Sequence, residues 1–346
     1  MTSLSLREKD KQVLGQVVEG YLRQGKPVSS DLITQTGFLR DSPATIRNIM
    51  VKLEEMGYLL KPHTSAGRIP TDKGLRFYVN SLLDSIRTTG EVRNYARDLT
   101  QGRGDFNSLL NRVSLLLAEQ SDNLGFVISP RISKIPINHL RFIKVAEDKV
   151  MVILLTTFNL VLNEIVRTSQ YFTQNELDEA SQFLTANYRG RNLVFVRADL
   201  LRELPRYKKR YEAVAGRLAE LLRSYFFQED QTDQIFFQGT SKLLDQASEF
   251  SLEKLKVLFR DFEEKAKLAR LISDFISLDR VKVLIGSEVN LPDVADCTLI
   301  LSHYGSSNQV LGSLGIIGPK RIPYRRIIPL VDGIAQGLTR AISESH

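Results

Sequence analysis

The run Ser42-Pro-Ala-Thr-Ile-Arg-Asn-Ile-Met-Val-Lys-Leu-Glu-Glu-Met-Gly57, followed by Tyr58-Leu-Leu-Lys-Pro-His-Thr-Ser-Ala-Gly-Arg-Ile-Pro-Thr71, decides how the first quarter of this 346-residue chain folds. Ser42 is an N-cap and Pro43 occupies the first helical position, where a missing N–H costs nothing. Ile46, Met50, Leu53 and Met56 recur at helical spacing and form one buried stripe, and Gly57 ends the helix. The opposite face presents Thr45, Arg47, Asn48 and Lys52. Beyond Gly57, Ser65-Ala66-Gly67 is a turn between two short extended runs, and Pro62 and Pro70 suit only strand ends or edges. The expected element is a small hairpin with a basic tip carrying His63 and Arg68.

Working outward, Leu6, Val13, Leu14, Val17, Val18, Tyr21 and Leu22 follow helical spacing. Ser5 and Glu8 are read as a capping box, and Gly25 and Pro27 as the stop. A short helix capped by Ser30 holds Leu32 and Ile33 and ends at Gly37. On the other side, Thr71-Asp72-Lys73-Gly74 opens a helix with Leu75, Tyr78, Val79 and Leu82 on its apolar side. Three helices and a basic hairpin make a winged helix-turn-helix. The third helix is sized for the DNA major groove, with Arg47 suited to guanine and Asn48 to adenine, flanked by Thr45 and Lys52. His63, Thr64, Ser65 and Arg68 of the wing then lie along the backbone or in the minor groove. The helix N-termini at Ser30 and Ser42 offer N–H groups to phosphates. The same pattern also suits a helical module for protein–protein contact.

The charge distribution agrees with a polyanion partner. Residues 1–80 hold 12 Lys/Arg against 8 Asp/Glu, more than half of the whole chain's excess of +7. No apolar run reaches membrane-spanning length and the N-terminus lacks a signal-peptide pattern, so no membrane association and a cytoplasmic location are expected. The single cysteine, Cys297, sits in an apolar run and reads as core. The four histidines, at 63, 139, 303 and 346, have no metal-ligand spacing, and no phosphate-binding glycine motif is present. Neither catalytic residues, a metal nor a cofactor is expected.

Past residue 85 the helical pattern continues through Phe106 to Leu117. Leu124–Ser129, His139–Ala146, Val150–Thr157 and Leu160–Val166 are β-rich and read as one antiparallel meander. Helices are expected at 174–187, 206–227 and 252–277. Strands are expected at 281–285, 297–304 and 309–317, with a terminal helix from about 329. This order suits an α+β domain interrupted by an insertion.

The quoted block, with Gly74 and Tyr78-Val79, strongly resembles the HrcA family of bacterial heat-inducible repressors. Phe237-Gln-Gly-Thr-Ser241 and Gly315-Ile-Ile-Gly-Pro-Lys-Arg-Ile-Pro-Tyr324 are similar to its later motifs. The resemblance implies a multi-domain α+β fold: a winged-helix DNA-binding domain at 1–85, a GAF-like domain from 86–170 and 241–346, and an inserted dimerisation domain at 171–240. It implies repression of chaperone operons through the CIRCE inverted-repeat operator, bound as a homodimer. It also implies that the GroEL chaperonin promotes the active form and that heat relieves repression by diverting it. An inverted repeat demands a two-fold symmetric protein. The stripe Tyr211, Val214, Leu218, Leu222 and Tyr225, with Tyr225-Phe-Phe227 and Phe236-Phe237, is read either as the dimer contact or as core. Ile49 stands where the family usually has an acidic residue, which puts an apolar side chain near the DNA face, and Leu75 replaces a common tyrosine. Lys320-Arg321 with Arg325-Arg326 reads as a second phosphate contact or as solvated surface. Tyr304-Gly305 and Gly312–Gly318 are either pocket lining, as in a metabolite-responsive regulator, or strand turns.

Overall fold

A computed structural model describes residues 6–37, 41–63, 67–89, 99, 106–130, 135–157, 160–203, 235–245, 281–289, 296–306 and 309–344. The expected helices at 206–227 and 252–277 lie outside the described residues.

The chain opens with α1 (Glu8–Gln24), α2 (Ser30–Gln35) and α3 (Pro43–Glu55). Strands β1 (Leu59–Leu60) and β2 (Ile69–Pro70) pair antiparallel, and α4 (Asp72–Thr89) follows. Two caps differ from expectation. α1 starts later, and the carboxylate three residues past its cap is Asp10, which accepts the Arg7 N–H at 3.2 Å. Ser29, not Ser30, caps α2 by accepting the Leu32 N–H, while Ser30 is buried inside the first turn. In Ser-Ser pairs local pattern cannot say which hydroxyl faces the free N–H groups. Val13, Leu14, Val17 and Val18 of α1 meet Ile33, Ile46, Leu53 and Leu59 in a closed core, which Leu75, Tyr78 and Val79 of α4 extend.

α5 (Phe106–Ser121) leads into a five-stranded antiparallel sheet of order β7-β3-β10-β9-β8. Its strands are β3 (Leu124–Ile128), β7 (Ile235–Gln238), β8 (Val281–Ile285), β9 (Cys297–Ser306) and β10 (Gln309–Pro319). β3 therefore does not belong to a meander with the strands after it. Its five residues are all buried, the pattern of a strand covered on both faces. Gly125 makes room for α5, since a Cβ there would lie 2.3 Å from the Ser114 carbonyl oxygen. β7 pairs with β3, and Phe236 packs on the main core. Phe236 thus fits the core reading of Phe236-Phe237, and both rings remain half-buried.

A second, three-stranded antiparallel sheet contains β4 (Ile137–Ala146), β5 (Lys149–Thr156) and β6 (Val161–Arg167). α6 (Gln174–Tyr188) covers one face, and α7 (Leu193–Glu203), absent from the sequence reading, adds Leu193 and Val196. Phe142, Val152, Leu154 and Val166 pack there on Leu177 and Leu184, in a core separate from the first. α6 also closes the free edge of β4. Thr185 Oγ1, Ser181 Oγ and Gln174 Oε1 accept the N–H groups of Leu140, Phe142 and Lys144 at 3.2, 3.0 and 2.8 Å. The expected boundary between residues 170 and 171 thus cuts through one packed unit. That unit lies in sequence between β3 and β7, two neighbouring strands of the other sheet.

α8 (Thr240–Asp245) follows β7, and the chain ends in α9 (Tyr324–Glu344), whose apolar side covers β9 and β10. The run before and into α9 docks the N-terminal helices. Lys320 Nζ lies 2.8 Å from Asp72 Oδ1, Arg325 2.8 Å from Glu19, and Arg326 donates to the Gln120 carbonyl at 3.0 Å. From the other side, Arg76 reaches Glu288 through Nε at 2.8 Å and a second N–H, and donates to the Val283 carbonyl at 2.7 Å. Burial, then the charge of Glu19, pushes the Tyr78 pKa up to about 12, so its hydroxyl keeps its proton and donates to Glu19 at 3.1 Å. The basic run at 320–326 thus clamps parts of the chain together, while Arg325 and Arg326 stay exposed, as the solvated-surface reading expects.

Candidate nucleic-acid interface

α3 is held so that one polar face stays outside. Ser42 Oγ accepts the Thr45 N–H at 3.2 Å and shares a hydrogen bond with Thr45 Oγ1 at 2.9 Å. This fixes the first turn and leaves Thr45 half-buried. Ile46, Met50 and Leu53 face the core. Ala44, Arg47, Asn48, Val51 and Glu55 are exposed and recur at i, i+3, i+4, i+7 and i+11, a continuous strip along the helix. Ile49, expected near that strip, is half-buried and packs on the core, because position 49 turns past the strip's edge.

The other expected contacts divide. Lys52 is half-exposed and its Nζ lies 2.5 Å from Asp10 Oδ2, in a pair whose acid is only 6% exposed. Although burial pushes the Asp10 carboxyl up, Lys52 and the Arg7 N–H outweigh it and hold the pKa below the usual aspartate range. Arg68 Nε lies 2.8 Å from Glu54 Oε2, and its side chain is 13% exposed. The Arg68 backbone exchanges two 2.8 Å hydrogen bonds with Val28. Gly67 permits this approach, since a Cβ there would lie 2.3 Å from the Val28 carbonyl oxygen. His63 is exposed, whereas Thr64 and Ser65 lie outside the described residues. So do Tyr211, Val214, Leu218, Leu222 and Tyr225.

Much of the specific string at 62–71 is therefore spent on docking the ribbon. Thr71 Oγ1 donates to the Gly57 carbonyl at 2.8 Å and accepts the Gly74 N–H at 3.2 Å. Lys73 donates to the Met56 carbonyl at 2.8 Å and sits 4.4 Å above the Tyr58 ring. The residues that sequence reading missed are the acids Asp10 and Glu54. Asp10 was legible as a first-turn carboxylate, but its link to Lys52, 42 residues away, was not.

Among the described residues, no group of three or more His, Cys, Asp or Glu side chains is arranged to hold a metal ion, and no helix is long and apolar enough to cross a membrane. His303 Nδ1 hydrogen-bonds Ser313 Oγ at 2.9 Å inside the five-stranded sheet. Burial, then the charge of Lys282, pushes its pKa down.

The family model described as "HrcA protein C terminal domain" matches residues 107–328. A heat-inducible transcription repressor HrcA of Geobacter sulfurreducens is 35% identical over 99% of both chains. One of Xanthomonas axonopodis pv. citri is 35% identical over 97% of this chain and 96% of its own. A crystal structure described as that of a hypothetical protein superposes with a TM-score of 0.66 over 99% of this chain and 100% of its own, at 24% identity, and so shares the mixed α+β fold. These relatives place the chain in the class of transcription regulators that repress. The chain belongs to the HrcA family.

Proposed function

We propose that this chain is a negative regulator of transcription of heat-shock chaperone operons of the groEL/groES and dnaK type. In this reading residues 1–85 form a winged helix-turn-helix and bind the CIRCE inverted repeat, with α3 in the major groove. The observation that carries it is the exposed strip of α3, where Arg47 and Asn48 stand outward while the rest of the helix is locked by its cap and core. Each bidentate base contact from such residues supplies roughly 1–3 kcal/mol of discrimination. Ser42, Thr45, His63, Thr64 and Ser65 are assigned to phosphate and groove-edge contacts. No step of this function is enzymatic.

Reading an inverted repeat takes two copies related by a two-fold axis. The dimer contact is assigned to the unit between β3 and β7. Its sheet leaves one face without a described helix, where Met151, Ile153 and Leu155 run between Ile143 on β4 and Val161 and Ile165 on β6. Val161 and Ile165 are 56% and 48% exposed. The stripe Tyr211, Val214, Leu218, Leu222 and Tyr225 is proposed to contribute to the same interface. The sheet of β3 and β7–β10 is assigned as GAF-like, GroEL as the partner that favours the operator-binding form, and the cytoplasm as the location.

Footprinting the purified chain on a duplex carrying the inverted repeat tests the reading. The expected result is two symmetric protected half-sites separated by whole helical turns. Protection of one arm only, or none distinct from flanking sequence, would contradict it.

A further inference from the structure

Two ion pairs border the exposed strip of α3, one on each side. At 3.6 residues per turn, Lys52 and Glu54 lie roughly 80° to either side of the strip's centre line. Lys52 is held by Asp10, and Glu54 holds Arg68. A helix roughly 10–12 Å across seated in a groove about 12 Å wide brings its two flanks against the two phosphate walls. The positions bordering the strip are therefore those where a cation meets phosphate whatever the base sequence.

We propose that Asp10 and Glu54 are specificity-determining residues for duplex binding: each restrains a flanking cation in an internal pair and so suppresses sequence-independent binding. The proposal rests on the reading of α3 as the base-contacting helix. Asp10 is buried and doubly anchored, by Lys52 Nζ and by the Arg7 N–H, so it cannot swing away to release the lysine. Arg68 is fixed at its backbone by Val28 as well as at its side chain by Glu54. Each carboxylate also places a negative charge on a flank that faces phosphate. Arg47 remains exposed on the strip, with no ion pair or hydrogen bond to it among the described residues. Sequence-independent affinity grows with every phosphate neutralised, whereas specificity is the difference between right and wrong duplexes. Restraining Lys52 and Arg68 lowers the shared part and leaves the base contacts of Arg47 and Asn48 in place.

The experiment compares wild type, Asp10→Asn and Glu54→Gln as full chains. Binding to a duplex carrying the inverted repeat and to a random duplex of equal length is measured by fluorescence anisotropy over a salt series. Release of one cation to phosphate steepens the log–log salt slope on the random duplex by about 0.9, and the operator-to-random ratio falls. Ion pairs that only hold the fold predict a lower melting temperature with slope and ratio unchanged, and that result overturns the proposal. If Asp10→Asn does not fold, Glu54→Gln decides alone, because Glu54 is one-third exposed and its loss leaves α3 capped and packed. Wild type failing to distinguish the two duplexes counts against the reading of α3, whereas the change in slope between variant and wild type tests the restraint by the acids.

Discussion

Two stretches of this chain that read alike in sequence, as candidate phosphate or base contacts, differ in the partners their cations find inside the chain. In Lys320-Arg321 and Arg325-Arg326, Lys320 and Arg325 meet carboxylates on α4 and α1, and Arg326 meets a carbonyl at the end of α5. On α3, Arg47 stands exposed beside Asn48. The difference teaches that a positive charge identifies a nucleic-acid contact only once its internal partners are known. Lys52 and Arg68 fall between the extremes, at the border of the strip but already paired.

Substitutions in the clamp test this contrast most strongly. Arg76→Ala removes a two-pronged contact with Glu288 and a bond to the Val283 carbonyl. It should destabilise the chain by about 2 kcal/mol, the range of hydrogen bonds to charged groups. Lys320→Ala breaks a more exposed pair and should cost about 1 kcal/mol or less. Both are read by denaturant unfolding. Affinity for random duplex and its salt slope should stay at wild-type values for Lys320→Ala, and a flatter slope would return the run to the list of phosphate contacts.

A smaller effect is expected from pH. The Asp10 carboxyl is held below its ordinary range in the folded chain. It therefore adds stability that is present above its unfolded pKa and is lost as pH falls through the lowered folded value. Unfolding measured from neutral pH down to about pH 3 should show an acid limb that is shallower in Asp10→Asn. An identical limb would mean that the Lys52 pair does not bind the carboxylate more tightly than water does.

The first three helices were legible because each is defined locally, by an apolar stripe and a glycine stop, although of their caps only that of α3 was read at the right residue. The last three strands were legible from their apolar runs, and their observed bounds differ by two residues at most. What stayed hidden depends on partners distant in sequence. Nothing local to Leu124–Ile128 says that it pairs with β10 and β7 rather than with β4, although its unbroken burial marks a central strand. At the candidate site, the outward position of Arg47 and Asn48 was readable from helical phase alone. That Lys52 and Arg68 are engaged by Asp10 and Glu54 follows from how α1, α3 and the ribbon pack, which no spacing rule records.

The central claim is that the outward strip of α3 reads base sequence. Its most direct test is the operator-to-random binding ratio of Arg47→Ala and Asn48→Ala, measured beside their melting curves. Unfolding transitions close to wild type are expected, since neither side chain touches the core. Each substitution should lower the ratio by roughly 1–3 kcal/mol, equivalent to five- to 150-fold. A wild-type ratio in both folded variants would contradict it.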